Sequence, residues 1–191
     1  AVKFFKTNFG TLILSFNGIQ FTNCEISFDA SIFGECVVTL DHAQLGSLIF
    51  KPTVFSGTEI TAENLSSTGT TVFQFPSSTQ TLKSVNLRGA SLEGPLFLRG
   101  DLGIIPDLRA SRSSHQVELT ELNVELRRIP QSRNWFKRLS AVAKDPKDSA
   151  RLRRLKEIAE TNKDHQAALR FSADENRARR WIETSWLGSV L

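Results

Sequence analysis

The feature that most constrains this chain is a spacing of five between large apolar side chains. From Leu40 every fifth residue reads Leu40, Leu45, Phe50, Phe55, Ile60, Leu65, Thr70 and Phe75. A helix repeats at about 3.6 residues and a strand at 2, so neither element alone produces this period. A chain that turns after each short extended piece does, and such a chain is a solenoid. The period returns upstream as Phe16, Phe21, Ile26, Ser31 and Cys36. Downstream it runs Leu82, Leu87, Leu92, Phe97 and Leu102, then more weakly Leu119, Val124 and Ile129. Two residues earlier sits a smaller set that includes Leu14, Ile19, Cys24, Val38, Ala43, Leu48, Thr53, Thr58, Val85, Ala90, Val117 and Leu122. Both sets are predicted to face inward. A β-sandwich with spaced Phe residues is the competing reading, but it gives no reason for separate runs to share one period.

The unit resembles that of the pentapeptide repeat proteins: a small residue, Asn or Asp, a central Leu or Phe, then two variable residues. Ala90-Ser91-Leu92-Glu93-Gly94 is the best local match, and the resemblance covers residues 14 to 129. Ser31 and Thr70 depart from it at central positions, Glu63 and Pro95 at small ones. The resemblance implies a mainly β fold, a right-handed quadrilateral β-helix with four units per turn. Stacking turns at about 4.8 Å would remove the Phe and Leu side chains from water, each worth roughly 1.5–3 kcal/mol.

In chain order, Ala1 to Ser15 is predicted to form the first strands and close one end of the solenoid, as repeat arrays require. Pro76 to Thr79 reads as a loop, and Gly103 to Gln116, with Pro106 and a serine-rich run, as a projecting loop. Val117 to Ile129 reads as the last coil. Beyond Pro130 the pattern turns helical. Trp135, Phe136 and Leu139 suggest a short helix. Asp145 then reads as an N-cap, with Pro146 at the first helical position and Asp148 three residues after the cap. Leu152, Leu155, Ile158 and Ala159 give that helix an apolar face, and it is predicted to stop at Thr161-Asn162 with Asn162 left-handed. Asp164 caps a second helix with Ala168, Phe171, Ala178, Trp181 and Ile182 inward, completing an α-helical hairpin. Two domains are thus expected: 1–129, the β-helix with its N-terminal cap, and 130–191, the helical region.

Charge divides along the same line. Residues 1–110 hold 7 Lys and Arg against 9 Asp and Glu, whereas residues 111–191 hold 17 against 11. The basic run ends in Arg177-Ala178-Arg179-Arg180-Trp181, followed by Trp186 and an apolar tail. Cations and Trp in this order suit a membrane boundary, so Arg177, Arg179, Arg180, Trp181 and Trp186 are the candidate membrane-proximal residues. The run Arg153-Arg154-Leu155-Lys156 through Asp164-His165 to Arg179-Arg180-Trp181 also resembles the helical linker of bacterial pentapeptide repeat proteins that continue into a membrane-embedded, channel-like segment. That resemblance implies a place on the cytoplasmic face of the bacterial inner membrane, against a soluble cytoplasmic protein as the alternative. No run of 18 apolar residues occurs within the sequence, the length a span requires. The first residues lack a secretory core, and the sequence contains no Met, which predicts a processed or cut product.

The expected function is a non-enzymatic scaffold with a protein partner. The alternative carried by the resemblance is a DNA mimic that binds DNA gyrase or a topoisomerase, although mimicry needs a strongly negative surface that residues 1–110 lack. Nucleic-acid binding by the basic third is not expected, because no reading motif accompanies the charge. A second copy of the chain is a further expected partner, since uncovered solenoid edges invite association. No cofactor and no metal are expected: Cys24 and Cys36 read as small buried apolar residues, and their spacing is not that of a zinc site. His42, His115 and His165 read as polar surface residues, with no nucleophile and orienting carboxylate placed around them.

Overall fold

In a computed structural model, residues 1–76, 82–114, 116–119, 121–130 and 141–179 are described. The chain divides into two compact units, 1–124 and 125–191. The first is a parallel β-solenoid of about five turns. Short strands lie directly over one another in four ladders. One runs Val2, Ile26, Leu48, Thr71, Leu96 and Val117. The next runs Asn8, Ile32 and Val54. The third runs Ile13, Val37, Glu59 and Ser84, and the fourth Gln20, Gln44, Ser66, Ser91 and Arg112. All these pairings are parallel, which rules out the sandwich reading, because sandwich sheets are built from antiparallel strands.

Aromatic and aliphatic side chains stack inside the turns. Phe28, Phe33, Phe50, Phe55 and Phe73 are fully buried. Ring centroids lie 4.8 Å apart for Phe9 and Phe33 and again for Phe33 and Phe50, about the spacing of neighbouring strands. Hydroxyls take some inner positions, and those of Ser31 and Thr71 are satisfied there, whereas the buried Thr39 Oγ1 and Ser84 Oγ make no hydrogen bond. Ser31 Oγ donates to the Phe4 carbonyl at 2.9 Å, and Thr71 Oγ1 to Ser67 Oγ at 3.1 Å.

One corner is built the same way in every turn. Gly18, His42, Asn64, Gly89 and Ala110 occupy the left-handed region, with φ of 66°, 58°, 55°, 70° and 57°. The N–H of each of the first four reaches the next coil, as from His42 to the Glu63 carbonyl at 2.8 Å. At the first two of these corners the residue before the corner caps the following coil. Asn17 Oδ1 accepts the Asp41 N–H at 3.0 Å, and Asp41 Oδ1 the Glu63 N–H at 2.7 Å.

Several inward assignments need correction. Gly103 to Gln116 is no projecting loop: Ile104, Ile105 and Leu108 are buried, Asp107 bridges Asn86, and Arg112–Ser113 pairs with Ser91–Leu92. It forms a coil, and its apolar residues outweigh the turn signals of Pro106 and the serines. Thr53 is exposed while Pro52 is buried. Thr70 is half-buried, with Thr71, Phe73 and Phe75 taking the inner places. Phe97 faces outward between buried Leu96 and Leu98, because inside the strand Leu96–Asp101 the alternation of period 2 prevails. Phe21 shares a register with buried Leu45, yet is 40% exposed, since among the described residues no strand lies over it. Ala1 to Ser15 does form the first turn, over Phe28 and Phe33 through Phe4 and Phe9. That turn leaves Phe5, Leu12 and Ile13 exposed, Ile13 at 73%.

The second unit opens on an antiparallel pair, Arg128–Pro130 with Ala141–Ala143. Ile129 lies here and is 52% exposed, not in a last coil. Helix α1 (Asp148–Thr161) packs against α2 (His165–Arg179), and α2 also meets Ala141–Ala143. Asp145 Oδ1 accepts the Lys147 N–H at 2.9 Å, the bond expected of a cap, although the helix proper begins three residues later. Asp148 does not close a capping box; its carboxylate meets Arg151 Nη1 at 2.9 Å. At the far end Lys163, with φ of 59°, is the left-handed residue rather than Asn162, with φ of −85°. The Asp164 N–H reaches the Ala159 carbonyl at 2.9 Å and Lys163 that of Glu160 at 3.0 Å, the Schellman pattern. Asp164 Oδ1 then accepts the Ala167 N–H at 3.0 Å, capping α2 as predicted. Leu152, Leu155, Ile158 and Ala159 are buried, as are Ala168, Phe171 and Ala178. The expected helix around Trp135, Phe136 and Leu139, and the positions of Trp181 and Ile182, lie outside the described residues.

Candidate functional site

The first ladder carries the most distinctive outer surface. Strands Gln44–Lys51, Thr71–Phe75 and Leu96–Asp101 place Ile49, Val72 and Phe97 in one register row. Their neighbours Leu48, Phe50, Thr71, Phe73, Leu96 and Leu98 are buried, so alternation turns these three outward, where each is half-buried. The result is an apolar column crossing three coils. Two residues on, Gln74 and Arg99 form the next outward pair. The Arg99 guanidinium carbon lies 5.1 Å from the Phe97 ring centroid, within cation–π range, and Nη2 pairs with the Glu118 carboxylate.

At the end of this row the surface opens into a cleft of about 400 Å3, walled by Gln74, Pro76, Arg99, Asp101, Glu121 and Asn123. Gly100 makes the cleft's geometry. Its φ is +94°, and a Cβ built there would lie 1.9 Å from the Phe75 carbonyl oxygen, so only glycine lets the two backbones come this close. The following coil is tied on by the Gly100 N–H to the Glu121 carbonyl at 3.2 Å and Leu102 to Asn123 at 3.0 Å. Register then sets Asp101 beside Asn123. With Arg99 engaged by Glu118, the uncompensated charges of the cleft are the carboxylates of Asp101 and Glu121. Neither has an ion-pair or side-chain hydrogen-bond partner among the described residues. Such a cleft can accept hydrogen bonds from a cation, and the Gln74 and Asn123 amides can both donate and accept.

The residues singled out from the sequence do not meet here. Arg177 and Arg179 lie in the last turn of α2, with Arg177 Nη1 2.8 Å from Asp174 and Arg179 Nη1 3.7 Å from Glu175. Arg180, Trp181 and Trp186 lie outside the described residues, as does His115. His42 is exposed at the left-handed corner and His165 is exposed at the start of α2. Cys24 is half-buried and Cys36 buried, both as free thiols, and burial pushes the Cys36 thiol up. Among the described residues no group of three His, Cys, Asp or Glu side chains could hold a metal ion, and no helix is long and apolar enough to cross a membrane. The cleft was not foreseen. Its one sequence signal is Arg99-Gly100-Asp101, a glycine flanked by charges between inner Leu98 and Leu102. Comparison with protein-family models, with curated proteins and with solved structures finds no match to the chain.

Proposed function

We propose that the solenoid is a non-enzymatic, protein-binding scaffold whose coils are pentapeptide-type repeats. The observation that carries this is the outward column Ile49, Val72 and Phe97 beside an open cleft, above a core already closed by its own stacked rings. Apolar side chains that fold stability does not require on the outer face are what a partner surface needs. A stacked sheet presents them with little ordering cost on binding. The DNA-mimic alternative is less well supported. At the stacked corner Asp41 and Glu63 are followed in the same row by Arg88 and Arg109, which interrupts any negative stripe. Attachment at a membrane belongs to this proposal through the basic last turn of α2, with Arg177 and Arg179 at its surface.

The test is site-specific photo-crosslinking in the cells that make the protein. With a benzophenone amino acid replacing Gln74, a dominant protein adduct is expected that is absent when the same group replaces exposed Ser56. No adduct from any outward position, or the same adducts from all, would overturn the scaffold reading.

A further inference from the structure

We propose that the cleft between Asp101 and Glu121 receives a lysine or arginine side chain of the partner, carried on an extended segment whose apolar residue lies on the Val72–Phe97 column. The proposal rests on the scaffold reading and names the chemistry of what is bound. Three observations converge on it. The Arg99 cation at the cleft wall is paired through Nη2 with Glu118 and lies over the Phe97 ring, its buried Nε making no hydrogen bond. Asp101 and Glu121 are left without partners among the described residues, while Gln74 and Asn123 supply amides at the same wall. An anionic group would meet two uncompensated carboxylates, whereas an ammonium or guanidinium group would make charge-assisted hydrogen bonds with them.

The third observation is distance along the strands. From Val72 to Gln74, and from Phe97 to Arg99, is one same-face step, about 6.6 Å of extended chain. Asp101 follows Gly100 at the end of the same strand. An extended partner segment has the same spacing between its own alternate side chains. An apolar residue two positions from a basic one therefore fits the column and the cleft together, and the cleft's continuity with the column favours a peptide over a free small cation.

Titration of isotope-labelled protein followed by backbone amide NMR tests this. The probes are acetyl-arginine amide, acetyl-norleucine amide, acetyl-glutamate amide and the tripeptide acetyl-Leu-Ser-Arg amide. The arginine probe is expected to shift the amides of Gly100, Asp101, Glu121 and Asn123 saturably, and the norleucine and glutamate probes are not. The tripeptide should bind at least tenfold more tightly than the single residue. Asp101→Asn with Glu121→Gln should weaken both cationic probes at least tenfold with the melting temperature unchanged, and added salt should weaken binding further. Equal response to the neutral or acidic probe, or undiminished binding by the double variant, would overturn the proposal. The two readings fail separately. A Gln74 adduct formed equally well by the double variant removes the cation site and leaves the scaffold. Absence of any adduct, with the arginine probe still binding, removes the scaffold and leaves the cation site.

Discussion

Gly100 shows how much one residue can fix. Its missing side chain permits the contact with Phe75 on which the cleft is formed. Gly100→Ala combines a left-handed backbone with a collision against main chain that cannot rotate away, so a loss of about 2–3 kcal/mol is expected in urea unfolding. Asp148 acts through a proton. Burial lifts its carboxyl above the usual 3.8, against the downward pull of Arg151. A folded-state value above the unfolded one means the folded chain holds the proton more tightly, so this contribution grows as pH falls through that window and is lost as pH rises. The difference in melting temperature between the natural chain and Asp148→Asn should therefore favour the natural chain more at pH values below 3.8 than at neutrality. A difference that is flat with pH would contradict it. At this scale the sequence misled where two periods competed. Leu92, Phe97 and Leu102 keep the spacing of five, but Leu96 and Leu98 satisfy strand alternation and take the interior.

Among the elements, the helices were the most legible. Their caps and apolar faces depend on residues three or four apart, so the sequence displays them directly. Asp164 and the α1 stripe behave as their positions predict, while the α1 terminus shifts by one residue because the Schellman bonds place Lys163, not Asn162, in the left-handed site. Phe171 is fully buried on α2, and Phe171→Ala should cost about 3–5 kcal/mol, read by thermal unfolding of a chain comprising both units. The stretch from Gly103 to Gln116 was less legible, since Pro106 and the serines are genuine turn signals. Its interior role depends on Ile104, Ile105 and Leu108 finding a coil beneath them. Asp107 adds a local reason for the fold there, accepting bonds from the Arg109 N–H at 3.1 Å and from its guanidinium at 2.6 Å.

Across the molecule, the solenoid could be read from its period, because stacking imposes the same spacing on every turn. The cleft could not. It depends on register between Gly100 and Leu122 and between Asp101 and Asn123, a relation between coils that no local pattern records. The same architecture makes stability directional, since each turn is held chiefly by the turns beside it. The first turn has a neighbour on one side only among the described residues, and Phe4, Leu14 and Phe16 remain half-buried within it. By contrast, Phe50 meets rings from both sides: Phe28 and Phe33 on one, Phe73 and Phe75 on the other. Among the described residues, the first turn of the solenoid is therefore softer than its middle. In hydrogen exchange the amides of Phe4, Phe9 and Phe16 should be replaced well before those of Leu40 and His42, and uniform rates would refute the gradient. A pulling force applied at the first described turn would peel the solenoid one turn at a time, each step leaving a shorter folded remainder with a newly bared edge.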